Sequence, residues 1–221
     1  MGRAVGGPGL DPEALPSYPR EVLGLRREPP MPEMTRFEKR FVNRRGQRAF
    51  LGLLNRVDRE NALRVTTDSV VLELGTGNGA FSILLHDRYH PARLYATDYD
   101  PEQVATARSN VERKYGSIPD GLVVERVDGT KMPYPDRSFD LVVAHQVLHH
   151  FGDVEAIRTG LREVTRVLRP GGQFLYVEMF HKKEVREELA RLGYSFRFHT
   201  RSLRLFSLAD KVIAIAPTPA T

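Results

Sequence analysis

The sequence predicts an α/β fold: a mostly parallel sheet covered by helices on both faces. Three observations carry that expectation. The apolar run Val70-Val71-Leu72 continues through Glu73 and Leu74 into Gly75, Gly77 and Gly79, and a helical pattern follows. Glycine has no Cβ and tolerates positive φ, so such a turn brings bare backbone close to a ligand. A second apolar segment ends in Asp98 about twenty residues later, the spacing of an acidic strand end beside a nucleotide-like ligand. Short apolar runs then alternate with helical patterns as far as Glu178, as they do in units of strand, helix and parallel strand.

The elements follow in order. Residues 1–34 are rich in glycine and proline, hold no periodicity and read as an arm. Residues 35–64 read as a helical cap. Thr35 suits an N-cap, with Glu38 as its capping-box partner. Gly46 is expected to break that helix. A second helix then turns Phe50, Leu53, Leu54 and Val57 inward. Residues 65–221 read as the ligand-binding core. Strands are expected near 70–74, 93–97, 122–126, 140–144 and 173–178, with helices near 79–88, 101–115, 153–168 and 182–192. Tyr194 to His199 alternates apolar and polar, and Val212 to Ala216 is again apolar. Two successive strands without a long helix between them predict an antiparallel hairpin at the sheet edge. Leu203 to Asp210 reads as strand extension or loop.

Composition removes several kinds of chemistry. A chain of 221 residues without cysteine has no disulfide, thiolate metal site or cysteine nucleophile. No apolar run reaches membrane-spanning length, and Met1 to Pro8 lacks the apolar stretch of a signal peptide, so a cytoplasmic protein is expected. The charge is uneven. Residues 1–64 carry 13 Lys/Arg against 8 Asp/Glu, and the rest of the chain is balanced. Arg36, Lys39, Arg40, Arg44, Arg45 and Arg48 form the densest part. Such a stripe serves either as a solvated helix face or as a footprint for phosphate-bearing partners.

The glycine turn by itself fits two ligands. Gly75, Gly77 and Ala80 satisfy the dinucleotide pattern, while Glu73, Gly75, Gly77 and Gly79 satisfy E-x-G-x-G-x-G. The downstream sequence separates them. Asp98 is followed by Tyr99-Asp100-Pro101. Asp128-Gly129-Thr130-Lys131-Met132-Pro133-Tyr134-Pro135-Asp136-Arg137-Ser138-Phe139-Asp140 comes next, and Leu161 to Gly172 closes the series. In this order the segments resemble class I S-adenosylmethionine (SAM)-dependent methyltransferases over roughly residues 65–180. The branch most resembled includes ubiquinone and menaquinone biosynthesis-type and other small-metabolite enzymes. The resemblance implies a Rossmann-like, seven-stranded sheet in the order 3-2-1-4-5-7-6, SAM as cofactor, and methyl transfer to oxygen, nitrogen or carbon of a small molecule. No metal is expected.

The same resemblance assigns roles. Gly75, Thr76, Gly77 and Gly79 would line the methionine and ribose, and Glu73 would orient the methionine ammonium from the mouth of the first strand. Asp98 would accept from the ribose diol, since a carboxylate offers two acceptor oxygens. Tyr99 would cover one adenine face. Asp128 would accept from the adenine amino group and the Gly129 N–H would donate to a ring nitrogen. The backbone of Ala144 and His145 would meet the ammonium. A general base is needed only where the acceptor must lose a proton. His145, His149 and Glu178 are the chosen candidates, with His150 and His181 also within the pattern; imidazole titrates in the right range. His150 reads as structural, because an L-x-H pattern recurs in this family across unrelated substrates.

Three rivals remain. A methyltransferase of RNA or protein would dock through the basic stripe, though Ala144-His145-Gln146-Val147 stands where an N-P-P-Y-like segment would favour base methylation. An NAD-dependent oxidoreductase would leave residues 127–143 unexplained. A SAM-binding protein without activity would keep the same cofactor residues.

Overall fold

The structure is a computed structural model that describes residues 36–198 and 210–216, with side chains for residues 48–196 and 212–216. The chain divides into two compact units, residues 1–41 and 42–221. The site lies wholly in the second. Helix α1 (Arg36–Arg59) comes first, then β1 (Val70–Leu74), α2 (Ala80–Tyr89), β2 (Arg93–Asp98), α3 (Pro101–Tyr115), β3 (Leu122–Arg126) and β4 (Phe139–His145). A 3₁₀ turn (Leu148–Phe151), α4 (Val154–Val167), β5 (Leu168–Glu178), α5 (Lys182–Arg191), β6 (Ser195–Phe198) and β7 (Asp210–Ile215) complete it.

One seven-stranded sheet runs in the order β3-β2-β1-β4-β5-β7-β6. β1 pairs in parallel with both β2 and β4, whereas β7 is antiparallel to β5 and β6. The edge hairpin and the strand order are those expected. Period-two alternation sorts the core. Leu72, Leu74, Val142, Ala144, Phe174 and Tyr176 face Ile157, Leu161, Val164, Val185 and Leu189 of α4 and α5. Val71, Leu94, Ala96, Leu141, Val143 and Leu175 face Phe50, Leu54, Val57, Leu85 and Val111 of α1, α2 and α3. Both sheet faces are therefore dry, as a parallel sheet requires.

Two expectations are corrected. Helix α1 does not break at Gly46 but runs unbroken from Arg36 to Arg59. An interior glycine costs only about 1 kcal/mol, and the burial of Phe50, Leu53, Leu54 and Val57 outweighs it. Strand β5 begins at Leu168, not near 173, because Leu168 already pairs with Phe139 before a register shift between Phe139 and Leu141. The expected arm 1–34, Thr35 and, of the stretch Leu203 to Asp210, residues 203–209 lie outside the described residues, while Asp210 begins β7. None of the described helices is long and apolar enough to cross a membrane.

The segment between β3 and β4 is fastened by charge. Arg166 on α4 bonds Glu163, Asp136 and the carbonyls of Tyr134 and Met132 at 2.7–2.9 Å. Asp140 accepts from the Val70 N–H at 2.8 Å and pairs with Arg169 at 2.6 Å. These contacts hold the N-terminal ends of β1, β4 and β5 in fixed relation. The strand order reverses between β1 and β4, which is where an open α/β sheet leaves a crevice for ligand.

Candidate functional site

The loop after β1 lies at the mouth of that crevice. Gly75, Gly77 and Gly79 sit at φ 69°, 55° and 78°. Gly75 has a second constraint: a Cβ there would lie 2.7 Å from the Val147 Cβ. The Thr76 N–H donates to the Thr97 carbonyl at 2.8 Å, and the Gly77 N–H donates to Asp98 Oδ2 at 2.8 Å. Asp98 also accepts from the Asp100 N–H at 3.1 Å through Oδ1. A carboxylate has about four acceptor positions. Asp98 is thus oriented by backbone and retains acceptor capacity for a vicinal diol.

Glu73 does not stand open at the strand mouth, because only 1% of it is exposed. Its Oε2 accepts from Thr76 Oγ1 at 3.2 Å and from Ser82 Oγ, and the two hydroxyls lie 2.6 Å apart. Its Oε1 is buried with no partner among the described residues. Burial is the main force on this carboxyl and pushes its pKa from 4.5 up to about 7; the two hydroxyls oppose the rise and the charge of Asp98 adds to it. A buried acceptor without a donor is costly, so this oxygen suits a cationic donor such as an ammonium group. That is the structural observation by which the residues fit SAM.

The side of the crevice expected to take adenine is built from two turns. Tyr99 is 58% exposed, its carbonyl accepts from Arg126 Nε at 2.9 Å, and its ring lies 5.2 Å from the Arg126 guanidinium carbon. Its exposure leaves an aromatic surface open to a ligand ring. Asp128 Oδ1 accepts from the Thr130 N–H at 2.8 Å and Oγ1 at 2.7 Å. Asp128 therefore shapes the turn with one oxygen and keeps Oδ2 for another donor. Gly129 follows it, directly against the ring of Phe151.

His149 and Glu178 meet; His145 does not join them. His149 Nδ1 lies 2.8 Å from Glu178 Oε1, and Glu178 is fully buried. The N–H groups of Met179 and Phe180 donate to the same oxygen at 2.8 and 3.1 Å. Burial alone would raise the Glu178 carboxyl, but the His149 bond and these N–H groups outweigh it and hold the pKa below its usual value. An ionised Glu178 selects the His149 tautomer with its proton on Nδ1, leaving Nε2 as the acceptor. The His150 ring lies tilted against His149, centroids 4.1 Å apart, and burial, then the neighbouring His149, lowers its pKa. The His145 ring packs against Phe81 and Phe50, centroids 4.3 and 5.2 Å apart, and Ala144 is buried within β4. His181 caps α5 at φ 48° and its carbonyl accepts from the Val185 N–H. Among the described residues no cluster of three His, Asp or Glu is placed to hold a metal.

Residues 72–176 match the family described as a methyltransferase domain. The chain is 35% identical over 108 residues to a demethylmenaquinone methyltransferase of Deinococcus radiodurans, covering 49% of this chain and 42% of that protein. It is 33% identical over 103 residues to a 27-O-demethylrifamycin SV methyltransferase of Amycolatopsis mediterranei, covering 47% and 36%. The matches thus span less than half the length of these curated relatives. A SAM-dependent methyltransferase of Methanosarcina mazei shares the fold, with TM-score 0.58 and 18% identity over 72% of this chain and 97% of that one.

The sequence reading missed Ser82, Arg126, Val147 and Phe151. Ser82 lies nine residues after Glu73, one turn into the helix that follows the glycine loop, and that spacing could have flagged it. Phe151 left only an indirect signal, two glycines at 129 and 160 with no turn to explain the second.

Proposed function

We propose that this chain binds SAM in the β1–β4 crevice and transfers its methyl group to a small-molecule acceptor. One observation carries the proposal: Asp98 and the buried Glu73 Oε1, without a partner among the described residues, flank the Gly75–Gly79 loop at the point where strand order reverses. When bound, SAM supplies a methyl carbon activated by its sulfonium. Asp98 holds the ribose diol, Tyr99 covers the adenine, Asp128 Oδ2 and the Gly129 N–H read its edge, and Glu73 takes the ammonium. Proximity and alignment are the main contributions such residues make to a displacement.

His149 is the base where the acceptor must lose a proton, with Glu178 fixing its ring. Met179 and Phe180 stand 44% and 49% exposed, and the Phe180 ring lies 4.9 Å from His149. An apolar frame bearing a hydroxyl group fits that surface best. The reading in which RNA or protein docks through the basic stripe has no observation in its favour, since the side chains of Arg36 to Arg45 lie outside those described.

The test is direct. Titration calorimetry with S-adenosyl-L-homocysteine checks the cofactor site. Methyl-labelled SAM with a size-fractionated extract checks the acceptor. Label in the small-molecule fraction supports the proposal, and label confined to macromolecules overturns it. Binding without transfer to any fraction would make the protein a SAM-binding non-enzyme.

A further inference from the structure

The turn after β4 is fastened to the site at several points. Val147 lies over Gly75, as described above. Four residues on, the Phe151 ring occupies the place of two missing Cβ atoms. One built on Gly129 would lie 2.5 Å from Phe151 Cζ, and one built on Gly160 would lie 2.6 Å from Cδ2. The ring is clamped between the Asp128–Gly129 turn and helix α4. Between Val147 and Phe151, His149 reaches Glu178. The segment is anchored by the Gln146 N–H on the Val177 carbonyl at 2.8 Å, with Gln146 itself held at φ 56°. Gly160 sits among Ile157, Leu161 and Val164 on the buried side of α4, where glycine is about 1 kcal/mol worse than alanine for the helix. Phe151 accounts for that cost by filling the space.

We propose that Phe151 is a positioning residue for adenine recognition: its ring sets the height of the Asp128–Gly129 turn. The proposal rests on the reading of Asp128 and Gly129 given above. The two bonds to the adenine edge are directional, and hydrogen bonds weaken steeply once bent or stretched. With the ring gone, the turn settles toward α4 and both bonds lose alignment. Stacking on Tyr99 and the Asp98 contact are left in place. The loss therefore falls on discrimination between bases more than on binding in general.

The experiment compares S-adenosyl-L-homocysteine with S-inosyl-L-homocysteine, which carries hypoxanthine and lacks the amino donor. Calorimetry is run on the full chain, on Phe151→Ala and on Phe151→Leu. The unaltered chain should prefer the adenosyl ligand. In Phe151→Ala, adenosyl binding should weaken about tenfold, close to one lost hydrogen bond of ~1.4 kcal/mol, and the ratio of the two dissociation constants should fall toward one. Phe151→Leu should recover part of it. Gly160→Ala should lower the melting temperature of the unaltered chain and do so far less in Phe151→Ala. A ratio unchanged in Phe151→Ala, whatever happens to stability, overturns the inference and leaves the methyltransferase proposal standing. If Phe151→Ala does not fold, an unchanged ratio in Phe151→Leu and Gly160→Ala overturns it equally. An unaltered chain that binds neither ligand would instead remove the cofactor reading on which the inference rests.

Discussion

Replacing Glu73 by glutamine should make the protein more stable at alkaline pH than at acid pH, relative to the original chain. Unfolded, this carboxyl ionises near 4.5; folded, it holds its proton to about 7 because it is buried. Below 4.5 both states are protonated and the group costs nothing. As pH rises the unfolded chain gives up its proton first, so stability is lost progressively until the folded carboxyl ionises as well. At about 1.4 kcal/mol per pH unit, the span from 4.5 to 7 is worth about 3 kcal/mol. Glutamine keeps an acceptor for Thr76 and Ser82 and removes the titration. Urea unfolding followed by circular dichroism at pH 4.5 and pH 8.5 reads the difference. The gap between Glu73→Gln and the original chain should move by about 3 kcal/mol in favour of glutamine at the higher pH. A gap of the same size at both pH values would refute the reasoning. The same carboxyl should make binding of S-adenosyl-L-homocysteine, which carries an ammonium, strengthen as pH approaches 7, while an adenosine without that group shows no such trend.

The other predictions concern the loop, the ribose contact and the base. Asp98→Ala should weaken S-adenosyl-L-homocysteine binding at least about tenfold, since a hydrogen bond to a charged group is worth about 1.5–3 kcal/mol; calorimetry checks it, and unchanged affinity would remove the ribose assignment. Gly75→Ala should cost about 1–3 kcal/mol in thermal unfolding, because it joins φ 69° to a collision with Val147. His149→Ala should lower kcat by roughly 10²–10⁴ with the cofactor affinity unchanged. Glu178→Gln should also lower kcat, because the His149 ring loses the carboxylate that orients it, and full turnover in both variants would exclude the pair as base and orienter.

Much of the fold was legible because its signals are local. Each parallel strand buried on both faces reads as a short apolar run, as in Val70 to Leu74 and Leu141 to Ala144, and each helix shows its own period. Helix α1 was misjudged at Gly46 because the force that overrides one glycine, the burial of Phe50 and Leu54 against β-strand residues, is long-range. The start of β5 was misjudged for a similar reason: Leu168 becomes strand only because Phe139 is there to pair with it.

By itself the sequence determined the order of elements, the glycine loop and the acidic residues at the strand ends, because spacing along one chain segment sets them. Tertiary structure alone decided which side chains meet. It paired His149 with Glu178 across 29 residues of chain, sent His145 to Phe50 and Phe81 instead, and buried Glu73 with one oxygen unsatisfied. It also set Phe151 into the gap left by Gly129 and Gly160. Such contacts are decided by packing between elements distant in sequence, where fit depends on the shape of both partners and neither segment carries that shape alone.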